Sequence, residues 1–462
     1  MDYRDIEGSW WLPGDSQRIP GTLIYSSDGI SLRVFGSLRP TEEVGSGITL
    51  GFAKWVVTPL VYGESRDGKE ITLLEVSGLS TLLPSQEETH RVGLALVGQH
   101  LSEPKFTGIR ASFEYLAEWA DAPSIHTYSR GADPVLHPNT VELAIGEWDN
   151  IELAIKSGAE GRMKESSVHF ERWCSFYAQS QLTFEWRELF ERYARPFHDL
   201  LIISLGRPLS MTQVALKPSG SVKWCEAYFE TRQSTGPVDE YKIHSYSAPT
   251  LLFLQSATMP ACDLLSKWFE LRKELRESLT LLLAPFYAPF TYEEHRFASY
   301  FQSLEAYHGA RKSRYGSAEL PKPDHRQRVA AVISALEDAH LTGDVTQWAK
   351  NVIQGRNDKP LSKRVEDVVR STGTLGEELL SAAPDFCKNA ARARTGVSHG
   401  GANGGLDLTS RHWHGEILLW IMRARILLDL GVRDACDRVR KRDAYQFALK
   451  QIRDSEAAAG VI

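Results

Sequence analysis

Apolar and polar residues alternate through much of the first part of the chain, which is the period of a β-strand with one buried face. Residues 21–35 contain two such runs around a turn that ends in Asp28-Gly29, and residues 56–76 repeat the arrangement around Asp67-Gly68. Asp-Gly suits the positive-φ backbone of tight turns, so both stretches predict β-hairpins. Further strands are predicted at residues 92–101, 140–145, 151–155 and 166–177. Many short strands with turn-rich connections predict a twisted antiparallel sandwich or barrel.

The apolar period changes from two to nearly four between residues 182 and 206. This pattern predicts a helix that is bent or broken near Pro196, which lacks a backbone donor, and that ends at Gly206. The alternation of strands then returns at residues 211–216 and 222–229. We therefore expect the helix to pack on the sheet of the same unit.

Helical periodicity dominates from Pro260 to the carboxyl terminus. Thr291 and Glu294 have the spacing of a capping box, which predicts a helix start there. Residues 309–323 are basic and contain Gly, Ser and Pro, and we interpret them as a linker or long loop. Ser410 is the predicted N-cap of a later long helix. Helices are predicted at residues 324–340, 362–371, 376–383, 385–394, 410–430 and 433–456.

The whole pattern predicts an α+β fold, with a mostly antiparallel β region, sandwich- or barrel-like, followed by an all-α helical bundle. We divide the chain into three parts on this basis. Residues 1–255 form a β-rich region, residues 256–290 form coupling helices, and residues 291–462 form a helical domain.

Composition points to a cytoplasmic protein without a metal site. The amino terminus is acidic and lacks the apolar core of a secretory signal, and no apolar run is long enough to span a bilayer. The five cysteines lie far apart, which favours reduced thiols and offers no zinc spacing, so we expect neither a metal nor another cofactor. Net charge is −6, yet residues 321–462 hold 22 Lys and Arg against 18 Asp and Glu. Contact with a polyanion is therefore expected in that last third.

Arg394 and His399 are the residues with the most suggestive chemistry. An imidazole can accept a proton from a ribose 2′-hydroxyl or donate one to the leaving 5′-oxygen near neutral pH. Arginine stays charged and offers several donors to a phosphate that is gaining negative charge. Such a pair could cleave RNA without a metal, leaving a 2′,3′-cyclic phosphate and a 5′-hydroxyl.

Spacing alone does not single out this pair, because similar spacings occur elsewhere. Solvated or capping side chains are the simpler interpretation of those other pairs, which are Arg130 with His137, Arg162 with His169, and Arg192 with His198. Arg394 differs because it ends a basic helix and is followed by Gly396 and a glycine-rich stretch. Residues five apart on a continuous helix point about 140° apart. A helix break at Gly396 would remove that restriction and let Arg394 and His399 face one cleft.

Two stretches of the sequence resemble a known family. Residues 394–399, late in a helical domain and followed by the long apolar helix that ends before Gly431, resemble the R-x4-6-H motif of HEPN domains. The amino-terminal stretch 8–36, beginning Gly-Ser-Trp-Trp-Leu-Pro, resembles the amino-terminal domain of ApeA-like proteins, in which an HEPN domain follows. The resemblance implies an antiphage defence protein that acts by abortive infection. It also implies a homodimer or higher oligomer whose two Arg-His motifs form one composite cleft.

The resemblance further implies roles for individual residues. Arg394 would bind phosphate and stabilise the transition state, and His399 would transfer or orient a proton. The implied partners are RNA, with host tRNA as one candidate, and a phage component as the trigger, with no membrane involved. Residues 1–255 would sense that component or restrain the nuclease. Possible supporting residues are Thr395, Glu305 and His308, and possible RNA-binding residues are Arg392 and Lys388.

Other interpretations of these residues remain. His308 continues an apolar helix face, as a hydrogen-bonded core histidine would. His412-Trp413-His414 could stack on RNA or could simply lie at a helix start. Many active HEPN proteins have Asn, Asp or His after the motif arginine, whereas Thr395 cannot titrate. The alternative function is therefore a catalytically inactive HEPN-like protein that dimerises or binds nucleotide or RNA. A carbohydrate-directed β region ranks third, because no carboxylate pair stands out there.

Overall fold

The chain forms two compact units. The first comprises residues 1–243, 252–269 and 286–289, and the second comprises 244–251, 270–285 and 290–462. The computed structural model describes residues 4–26, 29–38, 54–80, 87–122, 140–164, 167–230, 245, 247–257, 259–288, 291–340, 343–354, 356–399 and 406–459.

Antiparallel strands make up most of the first unit. In chain order they are β1 (Arg4–Trp11), β2 (Ile19–Ser26), β3 (Gly29–Val34), β4 (Lys54–Ser65), β5 (Glu70–Ser80), β6 (Glu88–Val92), β7 (Leu94–Val97), β8 (Phe106–Phe113), β9 (Val141–Trp148), β10 (Ile151–Lys164), β11 (Ser167–Phe184), β12 (Met211–Pro218) and β13 (Cys225–Phe229). Both predicted hairpins are confirmed, since β2 pairs with β3 and β4 pairs with β5.

A closed ring of strands begins the sheet. The order is β4-β1-β2-β3-β6-β5-β7-β13-β12-β8-β11-β10-β9, and β4 also pairs with β5, which closes the first six strands into a barrel. Alternate residues of β2 are buried, as the period of two predicts. Trp10 is fully buried in the barrel core, and a Cβ at Gly63 would lie 2.2 Å from its ring. Only glycine therefore allows β4 to pass this tryptophan.

The helical segment of the first unit continues past Pro196, and it contains a π-helical turn just before this residue, where a bend or break was predicted. A short helix α1 (Leu116–Trp119) comes earlier, and α2 (Trp186–Leu189) continues through a π-helical turn at Phe190–Ala194 into α3 (Arg195–Leu205). The π turn ends at Ala194, two residues before Pro196, and Gly206 ends α3 with a φ of 71°. His198 was expected to be a solvated or capping residue, and this is wrong. Its ring is buried and bonds to the carbonyl of Leu209 at 3.0 Å.

Helices make up the second unit, to which the first helix named below contributes only residues 270–274 and the second only residues 276–285. They are α4 (Ala261–Glu274), α5 (Arg276–Tyr287), α6 (Glu293–Ala310), α7 (Lys312–Tyr315), α8 (Lys322–Asp338), α9 (Gly343–Gln354), α10 (Leu361–Arg370), α11 (Thr374–Ala382), α12 (Phe386–His399), α13 (Leu408–Leu430), α14 (Ala435–Arg440) and α15 (Asp443–Ala459). The α+β class and the helical bundle are confirmed.

Two predicted helix caps are wrong, although both helices begin within two residues of the predicted positions. α6 has Tyr292 as its N-cap, with no side-chain capping bond, so Thr291 does not open it through a capping box. Instead, Glu293 of the first turn is paired with Arg296 at 2.6 Å. The N-cap of α13 is Asp407, whose carboxylate accepts the backbone N–H of Ser410 at 2.6 Å. Asp407, three residues before Ser410, is therefore the N-cap residue, and the serine hydroxyl is not.

The predicted linker at residues 309–323 is also partly wrong. α6 extends to Ala310, and residues 312–315 form α7. Helix α9 was not predicted at all. The packed centre of the unit consists of α6 and α13. The two helices run parallel, as two contacts show: Arg296 pairs with Glu416 at one end, and Tyr307 donates to Asp429 at the other.

Candidate active site

Helix α12 lies against α6 and α10 through small side chains. Phe386, Ala390 and Ala393 are fully buried, whereas Arg392 is exposed. Because alanine adds little bulk, the backbone of α12 can approach its neighbours closely. Arg394 follows the last of these alanines and lies at the edge of the buried face, with 29% of its side chain exposed.

Arg394 is held by a carboxylate from a distant part of the sequence. Its Nε lies 3.4 Å from Oε2 of Glu305 on α6, and the Glu305 side chain is 19% exposed. A partly buried ion pair is screened less than a surface pair, so the carboxylate can fix the direction of the guanidinium. The structure thus brings together the motif arginine and one of the predicted supporting residues.

His308 lies one turn beyond Glu305 on α6, but its ring is engaged elsewhere. Its Nε2 is 3.0 Å from Oδ2 of Asp367 on α10, and the side chain is buried. Lys359 donates to the same Asp367 oxygen at 2.6 Å, and the Tyr315 ring stacks on the imidazole with 5.0 Å between centroids. The contacts shown for His308 therefore lead to α10 and α7. Nothing in the sequence pattern pointed to Asp367 or Lys359, because the partners come from separate helices.

The expected helix break at Gly396 is wrong. α12 continues through Gly396 to His399, so the backbone positions of Arg394 and His399 are about 140° apart around one helix axis. The side chain of His399 lies outside the described residues, as do residues 400–405. Glycine costs only about 1 kcal/mol in a helix interior, and the buried alanine face of α12 outweighs this cost.

The other predicted residues of this helix make local contacts. The Thr395 hydroxyl donates to the carbonyl of Ala391 at 3.1 Å, four residues earlier on the same helix. Lys388 is exposed and paired with Asp385 at 3.0 Å, and Arg392 is exposed as well. Two basic side chains therefore reach solvent on α12, as an RNA-binding role requires.

The first turns of α13 place His412 and His414 in different environments. His412 Nδ1 is 3.0 Å from Glu293, whereas His414 is buried and its ring stacks on Phe386 with 5.1 Å between centroids. His414 Nδ1 lies 2.7 Å from the Ser410 carbonyl, so this nitrogen carries the proton. Burial lowers the pKa of the His414 imidazole to about 4. His414 is therefore neutral near pH 7 and unavailable for stacking on RNA.

The other pairs with similar spacing do not form a site in the described residues. Arg130 and His137 lie outside them, and the side chains of Arg162 and His169 do as well. Arg192 is paired with Glu188 at 2.7 Å, while His198 is buried.

Among the described residues, no cluster of three or more His, Cys, Asp or Glu side chains could hold a metal ion. Within the same residues, no helix combines the length and apolar character that crossing a membrane requires.

Comparison with family models gives two matches in the order that the sequence resemblance implied. The ApeA N-terminal domain 1 model matches residues 5–268, and the Apea-like HEPN model matches residues 298–436. The second range contains Glu305, Arg394 and His399. Searches of curated proteins and of solved structures gave no significant match. At family level these domains indicate an antiphage defence effector with an HEPN domain of the ribonuclease type. The chain belongs to the ApeA-like proteins, with an ApeA amino-terminal domain followed by an ApeA-like HEPN domain.

Proposed function

We propose that the protein is a metal-independent endoribonuclease that acts in abortive infection. In this proposal, Arg394 binds the scissile phosphate and stabilises its developing charge, and His399 transfers or orients a proton. The ribose 2′-hydroxyl is the nucleophile, so the products carry 2′,3′-cyclic phosphate and 5′-hydroxyl ends. The contact of Arg394 with Glu305 carries the proposal, because it holds the motif arginine at a partly exposed edge of the HEPN domain.

Glu305 has a defined role in this proposal. Its carboxylate forms an ion pair with the guanidinium from the Nε side and thereby restricts the orientation of the remaining donors. A fixed arginine loses less entropy when it binds phosphate than a freely rotating one does. Glu305 is therefore a positioning residue that acts through Arg394.

We propose that the complete cleft forms between two copies of the chain. The helical continuity of α12 favours this arrangement, because positions 394 and 399 of one copy are about 140° apart around the helix. Across a two-fold axis, Arg394 of one copy can lie close to His399 of the other. Lys388 and Arg392, exposed on α12, would then contact the RNA backbone beside the cleft.

The remaining parts of the proposal concern substrate and control. RNA is the substrate, with host tRNA as the candidate to examine first. The ApeA domain is proposed to sense a phage component and to release the nuclease on infection. A trigger is needed because an unrestrained ribonuclease would damage its own host.

A second candidate function is an inactive HEPN domain that dimerises or binds nucleotide or RNA. The contact of Thr395 favours it, because this hydroxyl is already bonded to the Ala391 carbonyl of its own helix. Thr395, bonded in this way, supplies the cleft with neither a titratable group nor a free hydrogen-bond donor.

The test compares Arg394→Ala and His399→Ala with the parent in phage-infected cells. Both variants are expected to lose phage protection and to yield no new 2′,3′-cyclic phosphate ends. Arg453→Ala is the matched control, because Arg453 is exposed on α15 and pairs only with its neighbour Asp454 among the contacts shown. If both site variants protect and cleave as the parent does, the assignment fails. Protection without RNA cleavage in the parent would instead support the inactive domain.

A further inference from the structure

Residues 247–251 contact helices of the second unit without forming a helix or strand themselves. We call residues 247–251 the strap. The strap lies within residues 5–268, which the ApeA N-terminal domain 1 model matches. Residues 244–251 nevertheless belong to the second unit, whereas residues 1–243 and 252–269 belong to the first. The strap is therefore a part of the ApeA match that packs with the HEPN helices.

Two arginines from different helices donate hydrogen bonds to the strap. Arg423 on α13 donates to the Pro249 carbonyl at 2.7 Å. Arg438 on α14 donates to the Leu251 carbonyl at 3.0 Å. Hydrogen bonds from a charged donor are stronger than those between neutral groups. The strap therefore joins α13 to α14.

The seat of the strap is buried. Ala248 and Leu251 are no more than 2% exposed, and Arg423 is 1% exposed. A third arginine, Arg442, donates to the Ser245 carbonyl at 3.0 Å, just before the strap. A buried guanidinium that loses an acceptor has no water to replace it, so the bond from Arg423 opposes release of the strap.

Thr250, in the middle of the strap, has the opposite effect. Its side chain is fully buried, and within the described part of the chain its hydroxyl has no hydrogen-bond partner. Water would supply that partner once the strap leaves its seat. An unpaired buried hydroxyl therefore favours release. Valine has nearly the same shape as threonine and would avoid this cost, so the hydroxyl is not needed to fill the seat.

Helix α13 connects the strap with the helix that holds Arg394. It packs on α6, which carries Glu305, the partner of Arg394. Tyr307 of α6 donates to Asp429 of α13 at 2.6 Å, six residues beyond Arg423. A strap that fixes α13 therefore limits how far α6 and α13 can adjust when two copies of the chain come together.

We propose that the strap is an autoinhibitory contact. While seated, it keeps α13 and α14 in their resting arrangement, and its release by the ApeA domain lets the composite cleft close. This inference rests on the proposed function, because it names the contact that restrains the same site. Three arginines hold the strap region and the buried Thr250 hydroxyl opposes them, so seated and released states can interconvert.

Two full-length variants that shift the seat in opposite directions test this inference. Thr250→Val should bind the strap more firmly, whereas the double variant R438A/R442A should loosen it. Hydrogen exchange of the strap amides should become roughly tenfold slower in the first and roughly tenfold faster in the second. Arg440→Ala is the matched control, because Arg440 also lies on α14 but is paired with Glu378 at 2.6 Å. Its strap should exchange at the rate of the parent.

The yield of cyclic-phosphate RNA ends in cells shows what the strap does. R438A/R442A should produce these ends without infection, roughly tenfold above the parent, and Arg394→Ala in the same chain should abolish them. Thr250→Val should unfold at a higher temperature than the parent and yet yield roughly tenfold fewer ends after infection. A strap that serves folding alone predicts less cleavage from R438A/R442A and no loss from Thr250→Val.

Three results would overturn the inference. The first is unchanged exchange of the strap in both variants. The second is a double variant that still depends on infection, and the third is a Thr250→Val protein that cleaves as the parent does, each in cells where the parent cleaves after infection. A parent that makes no cyclic-phosphate ends even then would refute the proposed nuclease itself, and with it any restraint on that nuclease.

Discussion

Arg394 on α12 and Glu305 on α6 are in contact, with 3.4 Å between the guanidinium Nε and a carboxylate oxygen, although 89 residues separate them in the sequence. The pair joins the motif arginine to the most central helix of the HEPN domain. The orientation of Arg394 therefore depends on a residue outside the motif.

Glu305→Ala is expected to lower the yield of cyclic-phosphate RNA ends roughly tenfold to a hundredfold in infected cells, because Arg394 loses its fixed orientation. Glu305→Gln should be nearly as severe, since the amide keeps the length of the side chain but removes the charge of the ion pair. Glu294→Gln is the control, because Glu294 lies on the same helix and pairs with Arg411 at 3.1 Å instead. Equal yields from Glu305→Ala and the parent would exclude a positioning role.

His308→Ala is expected to affect stability and not chemistry. It removes the partner of a partly buried Asp367 oxygen and the ring that stacks on Tyr315, which should cost about 1–3 kcal/mol in the free energy of unfolding. Urea unfolding measures this loss, and cleavage by the folded fraction should remain that of the parent. Lost cleavage at unchanged stability would show instead that His308 acts in catalysis.

The N-cap of α13 can be assigned by comparing two alanine variants. Asp407→Ala should cost about 1 kcal/mol, because its carboxylate accepts the N–H of Ser410. Ser410→Ala should cost less, since the alanine retains that backbone donor. Thermal unfolding of both variants gives the order, and a larger loss for Ser410→Ala would contradict the observed cap.

His414 should make the protein less stable in mild acid. Burial lowers its pKa from 6.5 to about 4, so between these values the unfolded chain binds a proton that the folded protein does not. The free energy of unfolding therefore falls as the pH decreases from about 6.5 to about 4, by roughly 3 kcal/mol from this residue. His414→Gln keeps an N–H for the Ser410 carbonyl but does not titrate. Urea unfolding across this range should show a smaller loss in the variant, and identical losses would contradict the prediction.

Local signals in the sequence predicted much of the fold. β2 and β3 form a hairpin as expected, and Gly29, the first residue of β3, has the positive φ, 108°, that a tight turn favours. Gly206 ends α3 for the same reason, with a φ of 71°. Such positions are set by the backbone of one or two residues, so the sequence alone is sufficient to find them.

Long-range contacts could not be predicted in this way. A glycine followed by a glycine-rich stretch indicated a helix end at Gly396, but the buried faces of Ala390 and Ala393 hold α12 helical beyond it. The partners of His308 are Asp367 on α10 and Tyr315 on α7, so no local pattern shows them. For the site, the sequence identified Arg394 and Glu305 separately, and only the packing of α6 on α12 joins them.

A mixed complex of the two motif variants tests the proposed cleft most directly. Copies carrying Arg394→Ala and copies carrying His399→Ala are given different tags, and the mixed assembly is purified through both tags from infected cells. If Arg394 of one copy works with His399 of the other, one of two symmetric pairs remains intact. The mixed complex should then produce cyclic-phosphate ends at roughly half the rate of the parent, while each variant alone is inactive. A mixed complex as inactive as either variant would contradict a cleft shared between two copies.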